Sequence, residues 1–149
     1  NERINLTTYS EYLDRHDERV VLEDVVAGSW VYGTFSTWIG EKDKNRAWDM
    51  LVDAKNEYDR VIGAGRLSAE EVHLAELQLA TCESSVWFWW FGEYNSAESV
   101  AAFDEQYRLH LGNLYQLLKV ELPDYLSKAF SFGSGNPAMG GVMLPGQQS

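Results

Sequence analysis

Apolar residues recur along most of this chain at intervals of three and four, the period of an α-helix with one buried stripe. Ala47, Leu51, Ala54, Tyr58 and Val61 or Ile62 set such a stripe on a helix from about Asp43 to Ile62, and Gly63-Ala-Gly65 supplies its stop. Ser68-Ala-Glu-Glu71 fits a capping box, after which Val72, Ala75, Leu79, Cys82, Val86 and Trp89 keep the period. This predicts a helix running to about Phe91 and ending at Gly92. Asn95-Ser-Ala-Glu98 caps the next helix, with Val100, Phe103, Tyr107, Leu111, Leu114 and Leu117 or Leu118 on its stripe and an end at the Leu122-Pro123 boundary. Thr8-Tyr-Ser-Glu11 is a further capping box and predicts a short helix from Thr8 to about His16. Pro123-Asp-Tyr-Leu126 predicts one last turn that packs back, while Arg19 to Val26 is too short to decide between strand and turn. With no strand pattern to receive the stripes, the helices must bury them against one another. The expected fold is all-α: a bundle of three long helices plus short N- and C-terminal helices, carrying an aromatic-rich loop from Gly28 to Gly40. That domain spans 1–132, and the Gly/Pro-rich tail 133–149, without any period, is expected to be disordered.

The length of 149 residues fits one domain, large enough to bury a core without a disulfide or metal staple. Cys82 is the only cysteine. Against 12 Lys+Arg stand 23 Asp+Glu, a net charge of −11, and the cations are scattered, so a phosphate backbone would be repelled and no nucleic-acid partner is expected. No stretch approaches a membrane span and the N-terminus has no signal-peptide pattern, which predicts a soluble, cytoplasmic chain. Because it opens on Asn1 rather than Met, an excised or processed piece is expected.

Six Trp, eight Tyr and six Phe are an unusual load, and five aromatics in a row, Trp87 to Phe91, would wrap right round a helix. At about 100° per residue Trp89 continues the core stripe of Cys82 and Val86, whereas Trp87, Trp90 and Phe91 share another side. Two readings are open for that side. The loop, with Trp30, Phe35 and Trp38, covers it as a small second core, or some of the rings line a groove and stack on a ligand.

Little else carries chemistry. Glu83 and Glu93 flank the run, but ten residues on a helix is about 15 Å, beyond the roughly 5 to 10 Å of a glycosidase pair. His16, His73 and His110 lack partners at ligand spacing, so neither a metal site nor a cofactor is expected. His73 is read as solvent-facing, Cys82 on the apolar stripe as packing, and Ser84-Ser85 lack a nucleophile elbow.

Two segments together resemble a known family. Gly28-Ser-Trp30, Phe35-Ser-Thr-Trp-Ile-Gly40 and Asn45-Arg-Ala-Trp48 are similar to the G-S-W … F-x-x-W-I-G … N-R-A-W pattern of glycoside hydrolase family 57, and Trp87 to Gly92 resembles its S-D-W-F-W-W-Y-G-D-D run. Ser10-Glu-Tyr-Leu13 and Glu105 to Leu118 match flanking segments, so the likeness covers about residues 8 to 126 in order. It implies the helical region C-terminal to a catalytic (β/α) barrel in retaining α-amylase, branching-enzyme or 4-α-glucanotransferase types. The Glu nucleophile and Asp acid/base belong to that barrel, so no catalytic residue is carried here and the fragment alone is expected to be inactive. By the same resemblance Trp30, Trp38, Trp87 and Trp90 contact α-glucan beside the barrel, and the isolated piece self-associates through the uncovered surface; Glu93, next to the aromatic run, is read from its position as a hydrogen-bond partner for a sugar hydroxyl. The chain departs from the pattern at Val86, where the family has Asp, and at Glu93-Tyr-Asn95, where it has two acids and a His. Those changes imply either another substrate or lost activity. The rival from another class is a non-enzymatic helical interaction module whose aromatic face docks a protein.

Overall fold

The structure, a computed structural model, describes residues 4–16 and 20–135. Its elements in chain order are α1 (Tyr9–Arg15), α2 (Lys42–Gly63), α3 (Ala69–Cys82), α4 (Val86–Trp90), α5 (Ala97–Leu117) and a 3₁₀ turn (Asp124–Ser127). Among the described residues there is no strand; a lone bridge joins Ser96 to Gly135. The fold is therefore the expected all-α bundle. α5 lies at its centre and touches α2, α3, α4 and the 3₁₀ turn.

The stripes read from the sequence form the core. Ala47, Leu51, Ala54 and Val61 of α2 meet Ala75, Leu79 and Cys82 of α3, Val100, Tyr107, Leu111 and Leu114 of α5, and Leu118 that caps it, all buried. Tyr107 also donates its hydroxyl to the Ala47 carbonyl at 2.9 Å, tying α5 to α2. Both sequence-read capping boxes that start α1 and α3 are formed, with Thr8 and Ser68 accepting from the amides of Glu11 and Glu71. The cap of α5 is Ser96, one residue later than the sequence pattern suggested, because the Asn95 side chain is engaged elsewhere.

Two boundaries differ from expectation. α3 does not run to Phe91 but stops at Cys82, and α4 begins at Val86. In the break the Thr81 carbonyl receives the Ser84 amide and the Trp87 indole N–H, so the backbone is satisfied without continuing the helix. α5 ends at Leu117 rather than at Leu122: Lys119 takes a left-handed conformation (φ 57°), its amide donates to Gln116 and that of Val120 to Tyr115. That is a Schellman closure without its usual glycine, hence invisible in the sequence.

The C-terminal part folds back as expected, with Leu126 of the 3₁₀ turn buried. Residues 133–135, the start of the tail expected to be disordered, instead run beside the α4–α5 connection: the Ser134 amide donates to the Glu93 carbonyl and that of Gly135 to Asn95. A Cβ at Gly135 would lie 2.1 Å from the Tyr94 carbonyl oxygen, so only glycine permits this approach. Positions 136–149 of the tail, and Asn1 and Arg19, lie outside the described residues. At the other end α1 buries no residue, and Val20 to Val26 is neither helix nor strand, with Val20, Val21, Leu22, Val25 and Val26 all exposed. No described helix is long and apolar enough to cross a membrane.

Candidate functional site

The aromatic run is divided among three surroundings, and the break before α4 decides how. Restarting the helix at Val86 frees its phase from that of α3, so the ring on the α3 stripe no longer enters the main core. Phe88 and Phe91, both fully buried, do so with Trp87. Phe88 stacks on Trp48 at 4.0 Å between centroids, and Phe91 meets Tyr107 and Phe130 edge-on. Trp87 is wedged among Phe103, Tyr107 and His110 and donates its N–H to Thr81 at 2.8 Å. Trp90 stacks on Phe103 at 4.6 Å. Trp87 and Trp90 thus share a side as the sequence indicated, yet α5 covers it rather than the N-terminal loop. With Trp87 8% and Trp90 9% exposed, both rings are structural and neither presents a face to a ligand.

The loop covers Trp89 instead. Trp30 lies over its ring at 5.6 Å, nearly parallel, and Trp38 meets it edge-on at 5.5 Å. Trp89 is thereby 6% exposed while Trp30 remains 83% exposed, with one face resting on Trp89 and the other open. Tyr32 and Phe35 of the same loop are half exposed. Of the rings proposed from sequence, the structure brings Trp30 and Trp38 together and leaves Trp87 and Trp90 apart from them. Glu93 has an exposed side chain, but its ordered contact is made by the backbone carbonyl, which accepts from Ser134.

The loop is held by short-range polar contacts. The Thr34 amide donates to the Val31 carbonyl across Tyr32 and Gly33, both left-handed, which makes a tight turn of the primed type. Ser29 accepts from the Val31 amide at 3.2 Å. Asn45 of α2 grips both the amide and the carbonyl of Gly40, and Trp48 donates its indole N–H to the Trp38 carbonyl at 2.9 Å. The motif residues Asn45 and Trp48 therefore fasten the aromatic loop to α2.

Three side chains missed in the sequence hold the end of α4, whose last carbonyls have no helical partner. Lys44, fully buried, donates to the Phe88 carbonyl and lies 5.1 Å from the centre of the Tyr94 ring. Burial pushes its ammonium down to about 8, against the opposing pull of Glu41 and Asp43. Tyr94 donates to Trp89 at 3.3 Å, and Asn95 donates to Trp89 and Trp90 at 3.2 and 2.9 Å. Burial, with Glu41 adding to it, drives the Tyr94 phenol well above its ordinary range. Tyr94 and Asn95, two of the positions at which the chain departs from the pattern it resembles, thus form a cap for α4. Gly92 makes the turn possible: it is left-handed (φ 114°), and a Cβ there would lie 2.9 Å from the Tyr94 ring. In sequence Lys44 is one of three lysines of α2, and only the fold shows that it is buried and which carbonyl it serves.

Two buried polar atoms among the described residues have no hydrogen-bond partner, the Trp89 indole nitrogen and the Thr37 hydroxyl. Both belong to the region around Trp89 and the loop. An orphaned buried donor costs about 1–3 kcal/mol, so this is where a further hydrogen-bonding group is worth most. Cys82, by contrast, is fully buried and its thiol is pushed up to about 12 by burial, which removes it as a nucleophile.

No family model, curated protein or solved structure matches the chain.

Proposed function

We propose that this chain is the helical part of a carbohydrate-active enzyme similar to glycoside hydrolase family 57, cytoplasmic, in which it presents an aromatic face to an α-glucan and packs against a catalytic barrel carried elsewhere. It supplies no nucleophile or acid/base and is inactive alone. The observation that carries the reading is the Trp30 ring, held flat on buried Trp89 by a fastened loop and open on its outer face. A sugar ring buries its apolar face on such a platform, and the price of ordering the aromatic is already met. The unpaired Trp89 and Thr37 groups below it offer hydrogen-bond donors should Trp30 shift.

The test is tryptophan emission of the whole chain titrated with maltooligosaccharides. A saturable change in the millimolar range, lost in Trp30→Ala, is the expected result; unchanged emission at tens of millimolar sugar overturns the platform.

A second reading, a helical interaction module that docks a protein, is favoured by one observation. Ile4, Leu6, Tyr9, Val20, Val21 and Val26 are each at least two thirds exposed, a run of apolar surface that the bundle does not cover. Under the first reading the same run faces the barrel.

A further inference from the structure

Apart from the Trp30 platform, an open cleft of about 640 Å³ lies between the first turns of α2 and the C-terminal segment. Lys42, Arg46 and Asp49 line it from one face of α2, Asp43 and Asn45 from its rim, and Phe130 and Phe132 form the opposite wall. Phe132 is 66% exposed, yet it is fixed in place because its amide donates to the Asp43 carboxylate at 3.3 Å and Ser131 beside it is clamped by Asp104. Trp30, Trp38 and Trp89 do not belong to this lining, although Gly40 and Asn45, which fasten their loop, do.

The charges around the cleft decide what it suits. Two cations and two carboxylates sum to zero, which gives no net pull on an anion or a cation. None of the ion pairs among the described residues uses any of the four, so their donors and acceptors are not spent on each other. The Lys42 ammonium, the Arg46 guanidinium, which lies over the Tyr125 ring at 4.8 Å, and the Asp49 carboxylate can donate to and accept from adjacent hydroxyls, and the exposed Phe132 ring beside them offers a flat apolar face. That combination matches a neutral polyhydroxylated ring.

From this we propose that the cleft between α2 and Phe132 is a second carbohydrate-binding site, which holds one or two sugar units of a neutral oligosaccharide against Phe132. The proposal rests on the carbohydrate reading above for its ligand class, but on different residues.

The experiment is an amide-resolved NMR titration of the full chain with maltotriose, repeated on Phe132→Ala, Asp49→Ala and Trp30→Ala. All three positions are exposed, so the fold is retained. The expected result is saturable shifts at the amides of residues 42–49 and 130–132, weakened about tenfold by Phe132→Ala, the loss of one stacked ring, and unchanged by Trp30→Ala. Shifts confined to residues 30–38 and 89 would overturn the second site and leave the platform standing. Shifts in the cleft but not at Trp30 would support the second site while the platform fails. Absence of any shift in the cleft at 50-fold excess over a millimolar constant, or shifts there with inorganic phosphate or glycine and not with maltotriose, would overturn the proposal.

Discussion

Asp104 and Arg108, one turn apart on α5, form an ion pair that clamps the C-terminal segment to the bundle. One Asp104 oxygen accepts from the Arg108 guanidinium at 2.8 Å, and the other accepts from the amides of Phe130 and Ser131 at 2.9 and 3.2 Å. Arg108 in turn donates to the Leu126 carbonyl at 2.9 Å. The carboxylate side chain is 1% exposed and that of Arg108 17%, so the clamp is largely shielded from water. This clamp also sets the Phe130 and Phe132 wall of the α2 cleft.

Asp104→Ala strips a part-buried cation and two amides of their acceptor at once. The expected cost is about 3–5 kcal/mol in denaturant unfolding. Amide exchange at Phe130 and Ser131 should speed up well before the bundle opens, and a loss under 1 kcal/mol would refute the clamp.

Lys44 gives the protein an unusual alkaline response. Its ammonium ionises at about 8 when folded against a usual 10.5, so the unfolded chain holds the proton more tightly. The resulting penalty, about 3 kcal/mol at about 1.4 kcal/mol per unit, is full below pH 8 and fades as the pH rises toward 10.5. Cys82 works the other way, since its folded value of about 12 exceeds the usual 9.0 and stability falls above pH 9. Urea midpoints should therefore climb between pH 8 and 9 and then level or decline. Lys44→Met should flatten the climb; a midpoint that falls steadily from pH 7 would contradict the assignment.

The two tryptophans Trp30 and Trp87 should respond very unequally to truncation. Trp87→Ala removes a core ring and its hydrogen bond to Thr81, a loss of about 3–5 kcal/mol. Trp30→Ala gives up one stacked contact at an exposed position, about 0.5–1.5 kcal/mol. Thermal unfolding of both variants checks the contrast, and equal losses would place Trp30 in the core.

Asn95→Ala leaves the Trp90 carbonyl without its donor in a buried site, at a cost of about 1–3 kcal/mol. Serine there is too short to reach both carbonyls and should not rescue, whereas Asn95→Asp should be worse because a carboxylate cannot donate. If aspartate were tolerated, the cap would be wrongly assigned.

The uncovered apolar run at Val20, Val21 and Leu22 is expected to drive self-association of the chain, opposed by its net charge of −11. Sedimentation velocity should then show a mass that grows with protein concentration and grows further in high salt, where the repulsion is screened. Val21→Lys with Leu22→Glu should restore a monomer. A strict monomer at every salt would dismiss the interface.

What the sequence determined by itself was local. The helix period of α2, α3 and α5, the Thr8 and Ser68 capping boxes and the burial of the stripe residues depend on neighbours within a turn or two, and a repeating pattern records them. Sequence also singled out Trp30 and Trp38, though not the ring they cover. What only the tertiary structure decided was phase and partnership: a three-residue break before Val86 turned Trp87, Phe88 and Phe91 into the core and Trp89 toward the loop. Lys44, Asn95 and Asp104 look like ordinary surface polar residues in the sequence, because the groups they satisfy lie 44, 5 and 26 residues away along the chain. A buried carbonyl or amide must find a donor or acceptor wherever the fold brings one, and no spacing rule in one dimension encodes that encounter.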